Sequence, residues 1–366
     1  MLEAKRYVVS SCTRGIRDLV SSWEAFGLST LKTLPDDAMA NSAVICLSNV
    51  HCVVLTIQGD DTMGMTIPQN TCPACRSARR KRIPAVNAWD GIEWQHVRCS
   101  DCKHRYLELY PSDEQLTRMY DKSYFSDGGG WVCGYWGGSY ESNERHLRDE
   151  AVRALRDIPV KRGRILEIGC AGGFFLDEAR VAGFDVTGVE LNPEMAEHAR
   201  TKLGLTVHCG MFEDVGLEPH SFDVVVVQDV LEHIRDPRAF VTSVYKLLRP
   251  DGCFFVRGPL EQQAKEGVYL ALRSLTGRGN RIVKEPPFHL QGFTRHSFAA
   301  INNSAGLTPR TFSTDATRPA MKLWGAKNAA ATVIGYAAFL ADKILGRGDF
   351  MTATAFPVRP VSSDIR

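Results

Sequence analysis

The sequence predicts an α/β protein built on a doubly wound parallel sheet, with a small cysteine-bound module ahead of it. Three observations carry this. Strand and helix patterns alternate from residue 161 onward, a glycine-rich turn joins the first of those strands to its helix, and two CxxC pairs lie upstream.

A chain of 366 residues that is 44% hydrophobic can bury the core of one large or two modest domains, which excludes disorder as its overall state. Its 44 basic and 42 acidic residues leave a net charge of +2, so bulk electrostatics provide no reason for a nucleic-acid or anionic-membrane partner. Eleven cysteines, an odd number, without a secretory pattern at the start, argue against a disulfide framework and for the reducing cytoplasm. The longest uncharged apolar stretch, 329–341, is shorter than the roughly 18 residues of a spanning helix, so no transmembrane segment is expected.

Residues 1–66 read as a poorly defined extension with a hairpin expected at 43–57, turning near Ser48 and Asn49. Met63 and Met65 precede the first cysteine pair, so the upstream segment reads either as a start-site artefact or as a genuine extension. The cysteine module spans 67–110, a helical and glycine/aromatic-rich segment 111–160, and the main domain 161–358, with insertions at about 261–285 and 318–346 and a tail at 359–366. In the main domain, strands are predicted at 164–168, 185–190, 206–208, 222–228, 253–257 and 348–358, with helices at 174–182, 193–203 and 236–248. The unbroken apolar run Val224–Val227 is that of a strand covered on both faces.

LEIGCAGG, residues 166–173, is squeezed between strand and helix. Gly169, Ala171 and Gly173 are small enough for a ligand to approach the backbone, and the helix behind them starts with unpaired amides. A dinucleotide fingerprint would want a third glycine where Phe174 stands. Glu190 ends the second strand, 17 residues after Gly173, where a carboxylate can accept both hydrogen bonds of a ribose diol. That placement suits more than one adenosine cofactor.

With EIGCAGG, VTGVELNPEM, the acidic pair Glu213–Asp214, FDVVVVQDVLEHI and LLRPDGCFFV in this order, residues 161 to about 312 resemble a class I S-adenosylmethionine (SAM) methyltransferase. The likeness is to the broad bacterial group that includes the ubiquinone-pathway O-methyltransferases. It implies a Rossmann-like, seven-stranded sheet and SAM as cofactor. By this resemblance Glu167, Gly169, Ala171 and Gly173 surround the methionine part, Glu190 holds the ribose, Asp214 meets the adenine amine and Gln228 lines the site. Ala171 departs from the family's usual glycine, and the asparagine-proline-proline-aromatic signature of DNA N-methyltransferases is absent from the fourth strand.

Cys72–Cys75 and Cys99–Cys102, 23 residues apart, supply four thiolates for tetrahedral zinc; four cysteines leave no open position, so the zinc is structural. His96 and His104 are read as surface residues rather than ligands. Arg76, Arg79, Arg80, Lys81 and Arg82 form a basic cluster that could touch RNA phosphates, and zinc-bearing ribosomal RNA methyltransferases keep RNA modification as an alternative. The cluster lacks interleaved aromatics, however, and the layout more resembles bacterial methyltransferases of glycan and secondary-metabolite pathways.

Residues 124–140 hold six glycines and six aromatic side chains, read as a lid able to close over a sulfonium cofactor, with Tyr140 among its contacts. In EPPFHLQGFT the resemblance puts His289 on the acceptor side; related sugar C-methyltransferases carry glutamate-histidine at this step, whereas this chain has Phe288–His289. His289 is the leading candidate base and His233, in the LEHI step, the second. The expected function is methyl transfer to a small-molecule, sugar or secondary-metabolite acceptor, at oxygen; the alternatives are an RNA methyltransferase and a catalytically inactive SAM-binding module. The helix near 327–345 could serve a homodimer face, the core or a peripheral membrane contact.

Overall fold

The computed structural model describes residues 6–7, 31–32, 42–48, 51–56, 67–119, 140–260, 281–283, 286–315, 329–345 and 348–358. It divides into two compact units, Met1–Met65 and Thr66–Arg366. The first is a four-stranded sheet ordered β1 (Arg6–Tyr7), β4 (His51–Thr56), β3 (Ser42–Ser48) and β2 (Leu31–Lys32). β3 and β4 form the expected hairpin, with Ser48 opposite His51.

The second unit starts with β5 (Ile67–Pro68), then β6 (Arg80–Trp89), β7 (Ile92–Cys99), β8 (Arg105–Leu107) and β9 (Leu109–Tyr110). β6 and β7 are antiparallel and joined by Asp90–Gly91, both with positive φ (57° and 71°), the conformation that two-residue hairpin turns require and that Asp-Gly adopts readily. Two segments from far along the chain complete this sheet: β15 (Arg281–Val283) runs parallel to β6, and β16 (Gln291–Gly292) antiparallel to β8. The module is therefore not a separate bead. Cys72, Val97, Cys99, Cys102 and Tyr106 share one apolar core with Leu166, Val225, Phe254 and Phe298 of the main domain.

After α1 (Asp113–Met119) and α2 (Tyr140–Asp157) come β10 (Gly163–Ile168), α3 (Phe174–Val181), β11 (Phe184–Glu190), α4 (Pro193–Leu203), β12 (Val207–Cys209), β13 (Phe222–Gln228), α5 (Pro237–Leu247) and β14 (Leu248–Pro259). Beyond β16 lie α6 (Arg295–Ser304), β17 (Leu307–Asp315), α7 (Ala329–Ile344) and β18 (Phe350–Pro357). Seven of these strands make one sheet in the order β12-β11-β10-β13-β14-β18-β17, parallel up to β14 and antiparallel at β18 and β17. This is the doubly wound sheet that the alternation predicted. β17 was not among the predicted strands, because its mixed run of exposed and half-buried residues carries little apolar alternation.

Local chemistry sets the boundaries of the helices. Asn192 caps α4 by accepting from the Glu194 and Met195 amides (3.0 and 3.1 Å), Pro193 takes the first turn, and Gly204 ends the helix at φ 65°. Asp236 and Pro237 repeat the device on α5. Val224–Val227 are fully buried, as a strand under helices on both faces must be. Sheet order reverses between β10 and β13, so the loops after those strands part and open a crevice at their carboxyl ends. Among the described residues, no helix is long and apolar enough to cross a membrane.

Gly173 starts α3 at φ +87°, and a Cβ there would lie 2.7 Å from Leu205 Cδ1 and 2.9 Å from Ala199 Cβ. Gly173→Ala is therefore expected to lower stability by about 1–3 kcal/mol through overpacking and backbone strain. Urea denaturation measures this, and an unchanged midpoint would mean that the turn yields without cost.

Candidate functional site

The crevice is lined by backbone turns and by two carboxylates. Leaving β10, the chain turns through Gly169 (φ 75°), Ala171 (φ 45°) and Gly173. Gly169 and Cys170 both donate to the Val189 carbonyl (2.8 and 3.2 Å), which docks the turn on the end of β11. The space beside Gly169 that a Cβ would need is held by the Val230 side chain, at 2.4 Å from Cγ2. Smallness at Gly169 and Gly173 thus serves packing of the turn itself, where the sequence suggested approach by a ligand.

Ala171 takes a left-handed conformation that costs a non-glycine residue roughly 1–2 kcal/mol. Its amide donates to Glu190 Oε2 at 2.8 Å, a charge-assisted bond that offsets the strain. Glu190 Oε1 accepts from the Asn192 amide at 2.7 Å. Each oxygen keeps a second lone pair. Burial nonetheless pushes the Glu190 carboxyl above its usual range, the amides of Asn192, Ala171 and Leu191 opposing that shift. Beside it Glu167, 3% exposed, accepts from Gln228 Nε2 at 2.9 Å through Oε1, while Oε2 is buried with no hydrogen-bond partner among the described residues. Burial raises its pKa to about 8. Burial thus raises the pKa of both carboxyls, Glu167 the more because its Oε1 alone has a donor.

Asp214 lies on a single 3₁₀ turn, Phe212–Asp214, and is exposed. The Gly210 amide donates to the Glu190 carbonyl (3.0 Å), which brings this turn to the end of β11. Leu191 and Met211, 53% and 51% exposed, are large apolar side chains next to Glu190 and to the turn. The sequence did not single them out, because an exposed leucine is visible only once burial is known. Tyr140 opens α2; the remainder of the expected lid, 124–139, lies outside the described residues.

Val230, packed on Gly169, leads into the 3₁₀ turn Leu231–His233. His233 Nδ1 lies 2.8 Å from the Phe288 carbonyl oxygen, which can only accept, so Nδ1 carries a proton; Nε2 lies 3.7 Å from Glu232 Oε1, and the ring also meets the Asp229 backbone. The His289 ring stands edge-on to it, centroids 5.2 Å apart. Burial lowers the pKa of His233 to about 4 and, with help from His233, that of His289 to about 3. Both rings are neutral at pH 7. Glu232, 3% exposed, has its carboxyl pushed well above the usual range by burial and by Asp229. Asp229 itself holds a left-handed φ of 52° at the end of β13, a strained position of the kind that clusters at functional sites. Glu232 and Asp229 were passed over in the sequence, although both lie in the quoted DVLEHI step.

In the module, Cys72 Sγ and Cys102 Sγ are 3.6 Å apart, as are Cys75 Sγ and Cys99 Sγ, and all four sulfurs fall within 4.8 Å of one another. A disulfide needs about 2.05 Å. Four thiolates about 2.3 Å from one zinc sit about 3.8 Å apart, close to what is found, so the donor set fits tetrahedral zinc. Mutual hydrogen bonding and burial push the Cys102 thiol up, so joint ionisation of the four calls for a dication among them. Contrary to the sequence reading, His96 and His104 are not surface residues: they are 5% and 0% exposed. His96 Nε2 pairs with Asn87 Oδ1 (3.0 Å), and His104 joins the module to the main domain.

The family described as Methyltransferase domain matches residues 140–311. Over that segment, a little under half of its length, the chain is similar to methyltransferase domains. A ubiquinone biosynthesis O-methyltransferase of Neisseria meningitidis serogroup A is 34% identical over 133 residues, which cover 33% of this chain and 55% of that protein. Its counterpart in Xylella fastidiosa is 28% identical over 158 residues, 39% of this chain and 61% of that protein. The chain spans little more than half the length of these relatives. Among solved structures, a SAM-dependent methyltransferase from Mesorhizobium loti aligns over 57% of this chain and 99% of its own, at 18% identity and a TM-score of 0.39. One from Archaeoglobus fulgidus aligns over 60% and 95%, at 17% identity and 0.40. The matched segment contains the crevice and His233 and His289, while the four cysteines lie upstream of it.

The purified protein is expected to hold about one zinc per chain, and Cys75→Ser to lose it together with the fold of the module, because structural zinc contributes on the order of 10 kcal/mol of apparent folding free energy. Metal analysis that finds no zinc in protein kept reduced would remove the assignment.

Proposed function

We propose that the protein transfers a methyl group from SAM to a hydroxyl of a small-molecule or glycan acceptor. The observation that carries this is the pair of buried carboxylates, Glu167 and Glu190, at the switch point of a methyltransferase-domain sheet. SAM brings a sulfonium and an ammonium group. The unpartnered Oε2 of Glu167 suits the ammonium, and the spare lone pairs of Glu190 suit a ribose diol. Leu191 and Met211 offer apolar surface for the adenine and Asp214 an acceptor for its amine; Gln228 and the Gly169–Gly173 turn frame the methionine end, and Tyr140 belongs to the covering segment. The methyl itself comes from the bound cofactor in an in-line displacement. The protein's part is to orient the acceptor, exclude water and take a proton. His289 is the group proposed to take it, with His233 behind it. Being neutral, it is ready to accept at pH 7, but burial makes it a weak base, so its rate contribution belongs near the low end of the usual range.

The RNA reading loses support from the module. Arg79 pairs with Asp101, and Arg80 and Arg82 both pair with Glu108, which ties three of the five basic residues to acids of the same chain. Reduced thiols at a zinc-binding spacing suit the cytoplasm, the proposed compartment.

Glu190→Ala is expected to weaken SAM binding roughly tenfold to a hundredfold, about 1.5–3 kcal/mol for a charge-assisted acceptor, and also to lower stability by orphaning the Ala171 and Asn192 amides. A calorimetric affinity equal to wild type would take Glu190 out of the site. His289→Gln should lower turnover about a hundredfold with SAM affinity unchanged. Because its folded pKa is depressed, the ring stays neutral as pH falls through the ordinary histidine value of about 6.5, so the acidic limb of the wild-type rate profile is expected below that value. Labelled methyl transfer into fractionated extract supplies the acceptor; a loss smaller than about fivefold rules His289 out as the base.

A further inference from the structure

We propose that Gln291 is a positioning residue for the His233–His289 pair, and that through it the cysteine module takes part in building the acceptor side of the site. The proposal rests on the reading of those histidines given above. Gln291 is 1% exposed and lies on β16, opposite Tyr106 of the module. Its Nε2 is 2.6 Å from the Tyr110 hydroxyl, 3.0 Å from the Ile234 carbonyl and 3.2 Å from the Arg235 carbonyl. Carbonyls only accept, so the amide orientation is decided: nitrogen faces Ile234 and Arg235, and Oε1 accepts from His104 Nε2 at 2.8 Å.

Each contact has a consequence for the histidines. Ile234 and Arg235 directly follow His233, and Gln291 follows His289 by two residues. Phe288, just before His289, accepts from His233 Nδ1. The chain through His233 and the chain through His289 are therefore clipped together twice, once by the Phe288 carbonyl and once by the Gln291 side chain. On its other side the same amide holds His104 and Tyr110 of the module, while Thr294 Oγ1 donates to the Cys102 carbonyl at 2.8 Å. Packing alone could be met by an apolar residue of similar length. A buried amide with four partners costs desolvation and in return permits one arrangement of the strands it joins.

The test compares wild type, Gln291→Met and Tyr110→Phe, purified with their metal. Imidazole ¹⁵N spectra report the tautomers of His233 and His289, calorimetry with SAM reports the cofactor site, and metal analysis reports the module. Gln291→Met is expected to keep its zinc and bind SAM within about twofold of wild type, to shift the imidazole signals of His233 and His289, and to turn over about tenfold to a hundredfold more slowly, the scale on which misplacement by about 1 Å acts. If Gln291→Met does not fold, Tyr110→Phe, which removes one hydroxyl and leaves both carbonyls their partner, is expected to displace the same two sets of signals by less. Wild-type imidazole signals in a zinc-loaded Gln291→Met, or in Tyr110→Phe when Gln291→Met does not fold, overturn the proposal even if His289→Gln is inactive. Displaced signals combined with full turnover in His289→Gln overturn the base assignment and leave the positioning role standing.

Discussion

Desolvation of two carboxylates is the constraint around which the carboxyl ends of β10 and β11 are organised. Glu167 and Glu190 end neighbouring parallel strands, where helices cover both faces of the sheet and water is scarce. A carboxylate in that position must find donors, be protonated, or wait for a cation. Glu190 finds the amides of Ala171 and Asn192, and the same bonds fix the path of the turn after β10 and the start of α4. Glu167 finds only Gln228. The left-handed alanine, the close approach of Val230 to Gly169 and the cap on α4 all lie within this arrangement, so the turn is held by the charge it helps to stabilise.

The His233–His289 pair follows a different logic. Its histidines are neutral because they are buried, and they are buried because the segment after β14 returns to pair with the cysteine module before it enters α6. The module sheet takes strands from 80–107, 281–283 and 291–292, so the four-cysteine cluster and the second half of the doubly wound domain share a sheet and a core. Zinc held by Cys72, Cys75, Cys99 and Cys102 would brace that shared sheet at the end where Thr294 reaches Cys102.

Much of this was legible in the chain. Parallel strands buried on both faces have a composition that few other elements share, so Val224–Val227 and the glycine turn located the sheet and its crevice. Asn192-Pro193 and Asp236-Pro237 marked helix starts through capping chemistry that acts over three residues. The CxxC pairs announced four thiols because tetrahedral coordination demands that number. All of these signals are local. His96 and His104 were misread for the same reason: a histidine near a metal knuckle has no local mark of burial, and its partners Asn87, Gln291 and Ser297 are up to 193 residues away in the chain.

The sequence alone determined the fold class, the position of the glycine turn after β10, the acidic residues at the strand ends and the four-thiol set, since each depends on periodicity, capping or residue count within a short window. Tertiary structure alone decided that Gly169 and Gly173 lie against Val230, Ala199 and Leu205, and that three of the five basic residues of the module pair with Asp101 and Glu108. It also decided that Gln291 joins three segments whose residues lie more than 50 positions apart. These are contacts between side chains whose separation in sequence carries no information about their separation in space; burial and pairing come into being only when the sheets close.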